Sequence, residues 1–330
     1  MHTTQSFTRA IVCFATCVAL STTTVRADDS NSSAEKEKAL ISVLRSDASP
    51  SEKAIACKNL AIDGSSEAVP DLAKLLSDPK LSYWARIALE VIPGKESDKA
   101  LRDAADSLDG KLLVGMINSI GFRRDGEAVA SLTTRFQDTD AEVASAAAVA
   151  LGRIGNDAAT RSLRQAMAAA PANVRSAIAE GCVLCAERMH AAGNLAAATE
   201  IYDEVRAADV PKQRVIEATR GAILARNQEG IPLLLETLRS SDKKMFQLAL
   251  GTAREFPGGD VDRALAQEMV RANADRAALI VQAMADRPDT VDLAAVLNAA
   301  SQGDKRVRLS AIDALRRVGD DSCLDTLLEI

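Results

Sequence analysis

The segment "EVASAAAVALGRIGNDAATRSLRQA", Glu142–Ala166, contains the clearest information about the fold. It reads as a helix, a break at Gly155-Asn156 and a second, shorter helix, and the first helix carries Ala at positions 144, 146, 147, 148 and 150. Small side chains let another helix approach closely, but each one buries little apolar area. Such a helix needs several neighbours, which predicts an array of packed helices.

The same pattern recurs along the chain at intervals of about 31 residues. We take Ala150, the first residue of the Ala-Leu pair in the stretch above, as the marker of a repeat. The aligned markers are Asn59, Ala88, Met116, Ala150, Gly181, Ala222, Thr252, Ala283 and Ala314. Five residues after each marker stands Gly, Pro or Asn, except at Ala186, so a helix end is predicted at these positions.

A second helix is predicted in every repeat. Thirteen residues after each marker stands a large apolar anchor, except after Gly181: Leu72, Leu101, Val129, Leu163, Leu235, Leu265, Val296 and Leu327. A helix pair of this size cannot bury its own apolar face, whereas stacked pairs can. The predicted fold class is therefore all-α, an α-solenoid of about nine helix-pair repeats.

The clearest repeats, Val143 to Leu163 and Val307 to Leu327, share the pattern V-x3-A-x2-AL-x3-G-x7-L. This pattern resembles the short HEAT-like repeat, the type also found in phycobilisome lyases and in bacterial scaffold proteins. The resemblance covers roughly residues 50–330 and implies an armadillo-like superhelix that serves as an interaction surface. It specifies the fold more than the function, because the repeat occurs in unrelated settings.

Two irregularities interrupt the even spacing. The interval from Gly181 to Ala222 is longer, and a longer helical hairpin is predicted at 181–222, turning at Gly193-Asn194 and resembling a tetratricopeptide unit. The last residues, "SCLDTLLEI", start a second helix without the polar capping repeat that solenoids carry. We therefore expect the repeat region, 51–330, to be cut short or to continue into another domain.

The N-terminus has the features of a secretory signal peptide, predicted over residues 1–27. A basic region ends at Arg9, an apolar core runs from Ala10 to Leu20, and Val25-Arg26-Ala27 forms a small-x-small cleavage site. We expect cleavage after Ala27 and a periplasmic or secreted protein without a stable membrane anchor; an uncleaved anchor is the alternative. Residues 28–50 are predicted to begin as a polar linker and become a first helix.

The composition and charge of the chain exclude some classes of function. The chain is 47% apolar but only 3% aromatic and has a formal charge of −6; removal of residues 1–27, which carry Arg9, Arg26 and no acid, changes this to −8. Proteins that bind nucleic acid or anionic membranes usually show a basic excess, so no nucleic-acid partner is expected.

The cysteines that follow the predicted signal are Cys57, Cys182, Cys185 and Cys323. Cys182 and Cys185 form a CxxC motif with His190 nearby, which is one pattern for a metal or redox site. However, Cys182 occupies the large-residue position of the repeat, and His190 is the only histidine after the signal, too few ligands for zinc. We interpret the pair as core residues, predict no metal and no cofactor, and leave a Cys182–Cys185 disulfide open.

No catalytic constellation is found: the sequence lacks a Ser/His/Asp or Cys/His arrangement and a phosphate-binding glycine loop. The candidate binding residues are cations near the anchor positions of the second helices, which line the concave face in this repeat type: Lys99, Arg102, Arg161, Arg164 and Arg263. Such a surface suits an acidic partner. The alternative is that these cations pair with nearby acids.

These observations predict a non-catalytic scaffold, exported from the cytoplasm, that binds a protein partner. The alternative function is an N-terminal docking arm of a larger secreted carbohydrate-active enzyme. The signal peptide, the alanine-rich repeats and the segment from Glu200 to Leu238 resemble repeat regions that planctomycete-type bacteria join to 3-keto-disaccharide hydrolase domains. In that case the catalytic domain is absent from this chain.

Overall fold

The computed structural model describes residues 23–329, with side chains from residue 33 onward. The first helix, α1, spans Thr23–Arg45, so the segment after Asp28 that the sequence predicts as a linker is already helical. Most of the predicted signal peptide, residues 1–22, lies outside the described residues.

Nine helix pairs follow α1, and the described residues contain no strand. The first helices of the pairs are α2 (Pro50–Asp63), α4 (Ser82–Val91), α6 (Gly110–Arg123), α8 (Ala141–Ile154), α10 (Ala172–Ala191), α12 (Lys212–Ala225), α14 (Lys243–Glu255), α16 (Ala274–Ala285) and α18 (Lys305–Val318). The second helices are α3 (Val69–Lys74), α5 (Lys95–Ser107), α7 (Val129–Thr134), α9 (Asp157–Met167), α11 (Leu195–Ala207), α13 (Ile231–Arg239), α15 (Asp260–Arg271), α17 (Leu293–Gln302) and α19 (Leu324–Glu329). The all-α solenoid class predicted from the repeats is confirmed.

All nine marker residues lie in first helices, and all of them except the half-buried Asn59 are buried. Gly155 ends α8 in the left-handed conformation with φ 58°, as expected of a glycine cap, and Asn227 follows α12 with φ 50°. The break predicted at Gly121 is wrong, because α6 continues to Arg123 and Arg124 takes the left-handed turn with φ 57°.

Gly121 has a packing role instead. A Cβ atom built on this glycine would lie 2.8 Å from the Cα of Ala150 on α8, closer than real Cβ atoms come to other atoms. The glycine is therefore required where α6 and α8 cross rather than where α6 ends.

The alanine-rich helix α8 uses its small side chains in the same way. Ala144, Ala146, Ala147, Ala148 and Ala150 are all buried. On the same helix, a Cβ on Gly152 would lie 2.6 Å from the Cα of Gly181 on the next first helix, α10. Small residues thus allow the near contact between consecutive first helices that the sequence predicts.

The anchors of the second helices are buried with two exceptions. On α13 the buried leucines are Leu234 and Leu238, one turn apart, and the predicted anchor Leu235 is only half-buried. Leu327 on α19 is 37% exposed. The anchor prediction is therefore wrong by one residue on α13, where the i, i+4 pair fills the interior.

The chain divides into two compact units, Met1–Ser119 and Ile120–Ile330. In the first unit, α1 packs on α2 and α3, and α2 packs on α4. In the second unit each first helix packs on the next, from α8 through α10, α12, α14 and α16 to α18. One continuous apolar cluster in this unit runs from Ile223 to Cys323.

The longer hairpin is formed by α10 and α11. Helix α10 continues through Ala186, the one position five residues after a marker that is not Gly, Pro or Asn. The chain then turns at Gly193 with φ 80°. Tyr202 on α11 is buried against Gly221 of α12, where a Cβ would lie 2.3 Å from the ring.

Candidate functional site

Four of the five predicted cationic residues have interaction partners. Lys99 on α5 lies 2.5 Å from Asp103 one turn away, and Arg102 on the same helix also has a partner. Arg263 on α15 approaches Asp260 at 3.5 Å. Arg161 on α9 is exposed and makes no ion pair with the described residues.

Arg164 is the most strongly engaged of these cations. Its guanidinium binds Glu204 on α11 through two nitrogens, one at 2.8 Å, and Glu200 at 2.7 Å. These carboxylates raise the pKa of Arg164 above its usual value. The structure thus favours, for Lys99, Arg164 and Arg263, the alternative in which the cations pair with neighbouring acids.

Arg164 lines a groove of about 750 Å³ between the C-terminal ends of α9 and α11, which we call the α9–α11 groove. Its apolar lining comes from Met167, Ala168, Ala207 and Ala208. Its charges are balanced, since Arg164 binds Glu204, and Arg175 binds the carboxylate of Asp209. The groove therefore offers apolar surface rather than net charge.

A second groove of about 340 Å³ lies between the ends of α15 and α17, the α15–α17 groove. Met269 lines it at the repeat position that Met167 occupies in the α9–α11 groove, seventeen residues after the marker. Ala277 likewise takes the position of Arg175, six residues before the next marker. The two grooves are therefore the same feature of the repeat, formed twice in the second unit.

A third groove, of about 510 Å³, lies at the C-terminal ends of α6, α8 and α10; we call it the arginine groove. Its lining side chains are Phe122, Arg124, Arg153, Leu184, Glu187 and Arg188. Three arginines face one glutamate, so this groove carries a positive excess. The prediction from sequence missed it, although a signal exists: arginines occur in or just after the last turns of consecutive first helices.

In the first unit, Trp84 lines a groove with Ile55, Lys58 and Lys80. The Trp84 ring packs edge-on against Tyr83, with ring centroids 5.3 Å apart. This pair is therefore partly accessible at the surface.

Cys57, Cys182, Cys185 and Cys323 are buried free thiols. Burial raises the pKa of Cys57 to about 11 and that of Cys182 to about 12, which keeps both thiols protonated at neutral pH. Within the described part of the chain, no three His, Cys, Asp or Glu side chains are grouped as metal ligands. The same range holds no helix that is both long and apolar enough to span a bilayer.

Residues 98–181 match the family described as HEAT repeats. No curated protein matches the sequence. The match supports a helical repeat scaffold of the kind used for protein interaction.

The solved structures that are similar to the chain include the following two. Human deoxyhypusine hydroxylase in complex with glycerol is 19% identical, with a TM-score of 0.36, over 77% of this chain and 96% of that chain. A structure describing Kap95p binding to RanGDP is 12% identical, with a TM-score of 0.45, over 91% of this chain and 49% of that chain, so the match spans about half of the latter. At these values neither structure bears on the function of this chain.

Proposed function

We propose that this protein is a non-catalytic scaffold, exported from the cytoplasm, that binds a protein partner along its repeats. The observation that carries the proposal is the repetition of one open groove at equivalent positions, between α9 and α11 and again between α15 and α17. Repeat proteins use such periodic features to contact an extended partner at several points. The HEAT-repeat match at residues 98–181 supports the same proposal.

The lining of these grooves suits protein contacts. Methionine at the shared position is flexible and polarisable, and such residues occur at adaptable binding surfaces. Val270, next to Met269, is 75% exposed, which leaves a large aliphatic side chain in water at the edge of the α15–α17 groove. Covering exposed apolar surface of this kind is a common source of binding free energy.

Site-specific photo-crosslinking tests the proposal. A benzophenone amino acid replaces Gln165 in the α9–α11 groove or Gln302 in the α15–α17 groove, and Lys244 at the exposed start of α14 is the control position. We expect illumination in the source cells to give one adduct common to both groove positions and absent at Lys244. The same adducts at all three positions, or none at either groove, would contradict a groove-binding scaffold.

Export is tested by the mass of the native protein recovered from the extracytoplasmic fraction. A scaffold cleaved after Ala27 has the mass of residues 28–330. A protein retained in the cytoplasm with its N-terminus intact would contradict export. A much larger mass would instead favour the alternative of a docking arm joined to a carbohydrate-active domain.

A further inference from the structure

We propose that the arginine groove binds an extended acidic segment of the partner protein, with carboxylates on Arg124, Arg153 and Arg188 and an apolar side chain against Phe122 and Leu184. This inference rests on the scaffold function proposed above and adds the chemistry of the partner and the place where it binds.

The arginine groove differs in charge from the chain as a whole. The chain as a whole has a formal charge of −6, yet this groove gathers three arginines against Glu187 alone. In the α9–α11 groove, by contrast, Arg164 and Arg175 are occupied by Glu204 and Asp209. Arginine binds carboxylates through paired N–H donors, so guanidinium groups that form no ion pair with the described residues favour an acidic ligand on an acidic protein.

Arg188 is partly held in place before any ligand binds. The Nη1 atom of Arg188 donates a hydrogen bond to the backbone carbonyl of Arg153 at 3.1 Å. The Arg188 side chain also lies over Gly155, where a Cβ atom would come within 2.5 Å of its Cδ atom. Fixing a side chain in advance reduces the entropy that binding would otherwise cost.

Arg124 is a residue in an unfavourable conformation. It occupies the left-handed region at the end of α6, with φ 57°, where the next first helix, α8, ends on Gly155 with φ 58°. A glycine adopts this conformation without the steric cost that an arginine bears. Because the backbone conformation of this turn favours glycine, we infer that the arginine is present for the function of its side chain.

The apolar part of the groove is unusual for this chain, which has few aromatic residues. Phe122 is 57% exposed at the end of α6, and Leu184 on α10 is half-buried. Aromatic and arginine side chains together are enriched at the energetic centres of protein interfaces.

The dimensions favour an extended ligand. The groove crosses the ends of three successive first helices, α6, α8 and α10. With neighbouring helix axes about 9 Å apart, three helices span roughly 18 Å, which about six extended residues would cover. An alternating acidic and apolar segment would then place carboxylates and apolar side chains on opposite sides of its backbone.

Fluorescence anisotropy on the full chain tests this proposal. The probe is a short fluorescein-labelled peptide that alternates Glu and Leu, and its matched control alternates Gln and Leu. We expect the Glu peptide to bind more tightly than the Gln peptide and to lose affinity as salt is added. Equal binding of both peptides, or tighter binding of a labelled oligothymidylate than of the Glu peptide, would overturn the proposal.

Point variants test whether the peptide binds in the arginine groove. Arg153→Glu and Phe122→Ala each change an exposed side chain, so we expect unchanged folding and an affinity for the Glu peptide reduced at least about tenfold. The control Lys243→Glu makes the same charge change at the exposed start of α14, and we expect less than about a twofold effect. Equal effects of Arg153→Glu and Lys243→Glu, or a loss caused instead by Lys58→Glu in the Trp84 groove, would overturn it.

Arg124→Gly gives a readout that a purely structural role would not produce. Because glycine suits the left-handed turn, we expect this variant to unfold at a higher urea concentration while binding the Glu peptide more weakly. Wild-type affinity in this variant would remove Arg124 from the site. If the peptide results fail but the crosslinks from Gln165 and Gln302 persist, the scaffold function stands and only the arginine groove is excluded as its acidic-segment site.

Discussion

Arg287 joins the ends of α14 and α16 to α15 through buried hydrogen bonds. It follows α16, and its Nε atom donates to the carboxylate of Asp262 on α15 at 2.8 Å. Its Nη1 atom donates to the backbone carbonyls of Ala253 and Phe256, at the end of α14, at 2.9 and 2.5 Å. The side chains of Arg287 and Asp262 are 5% and 2% exposed, so each charge depends on the other for stabilisation.

Replacing Arg287 with Ala leaves the carboxylate of Asp262 buried without its counter-ion. We expect the free energy of unfolding, measured by urea denaturation, to fall by about 3–5 kcal/mol. The control is Arg263→Ala, which removes an exposed arginine of the same unit and is expected to change stability by less than about 1 kcal/mol. Similar losses in both variants would mean that the buried ion pair has no special role.

The burial of Cys182 and Cys185 determines how their thiols react. Because burial holds the pKa of Cys182 near 12 and raises that of Cys185, neither thiol is expected to react with iodoacetamide in the native protein at neutral pH. After unfolding without reductant, the tryptic peptide 176–188, which contains both cysteines, should carry two alkyl groups by mass spectrometry. An unalkylated peptide lighter by two hydrogens would instead show a disulfide.

At the scale of helices, the close crossing of α8 and α10 leaves no room for an added side chain at Gly152. A Cβ on Gly152 would meet the Cα and carbonyl oxygen of Gly181 at 2.6 and 2.7 Å, and these backbone atoms cannot move aside as a flexible side chain would. We expect Gly152→Ala to lower the free energy of unfolding by about 1–3 kcal/mol, because the two helices must separate.

Gly251 in α14 is the matched control for this prediction. It also lies inside a first helix, but a Cβ there would meet nothing within 4 Å. Gly251→Ala is therefore expected to raise stability by about 0.5–1 kcal/mol, through the lower backbone entropy of the unfolded chain. Urea denaturation measures both variants, and a loss of stability at Gly251 as large as that at Gly152 would refute the steric explanation.

For the whole molecule, acid is expected to weaken both units. In the first unit, hydrogen bonds from Arg45 and Lys74 hold the pKa of Asp71 below its usual value. In the second unit, burial alone would raise the pKa of Asp286, but hydrogen bonds from Arg254 and Arg317 outweigh it and lower the pKa. A carboxylate with a lowered pKa stabilises the fold above the pKa of the unfolded chain, and this contribution is lost as the pH falls.

The urea midpoint should therefore decrease as the pH falls from about 5 to about 2. Asp286→Asn should be less stable at neutral pH, since two arginines lose their shared partner, and its midpoint should depend less on pH over this range. If the variant keeps the full acid sensitivity of the wild type, Asp286 does not contribute to it. The wild-type curve measured in parallel is the control.

The features that depend on neighbours along the chain could be predicted from the sequence. The repeat spacing located every first helix, and a glycine in a break predicted the left-handed end of α8 at Gly155. Small residues predicted the close helix contacts of α8, and the repeat position of Cys182 predicted its burial. These predictions succeed because helix periodicity, capping and side-chain volume act over one or two turns of a helix.

The packing of the helices determines which distant residues come into contact. Gly121 looks like a helix end in sequence, yet it is a contact with Ala150 because the crossing of two helices fixes its role. Arg164 looks like a free cation until α11 brings Glu204 to it, and the arginine groove exists only because α6, α8 and α10 end side by side. Charge and close contact act across space between residues some 30 to 40 positions apart, so the sequence supplied the groups and the packing of the repeats chose their partners.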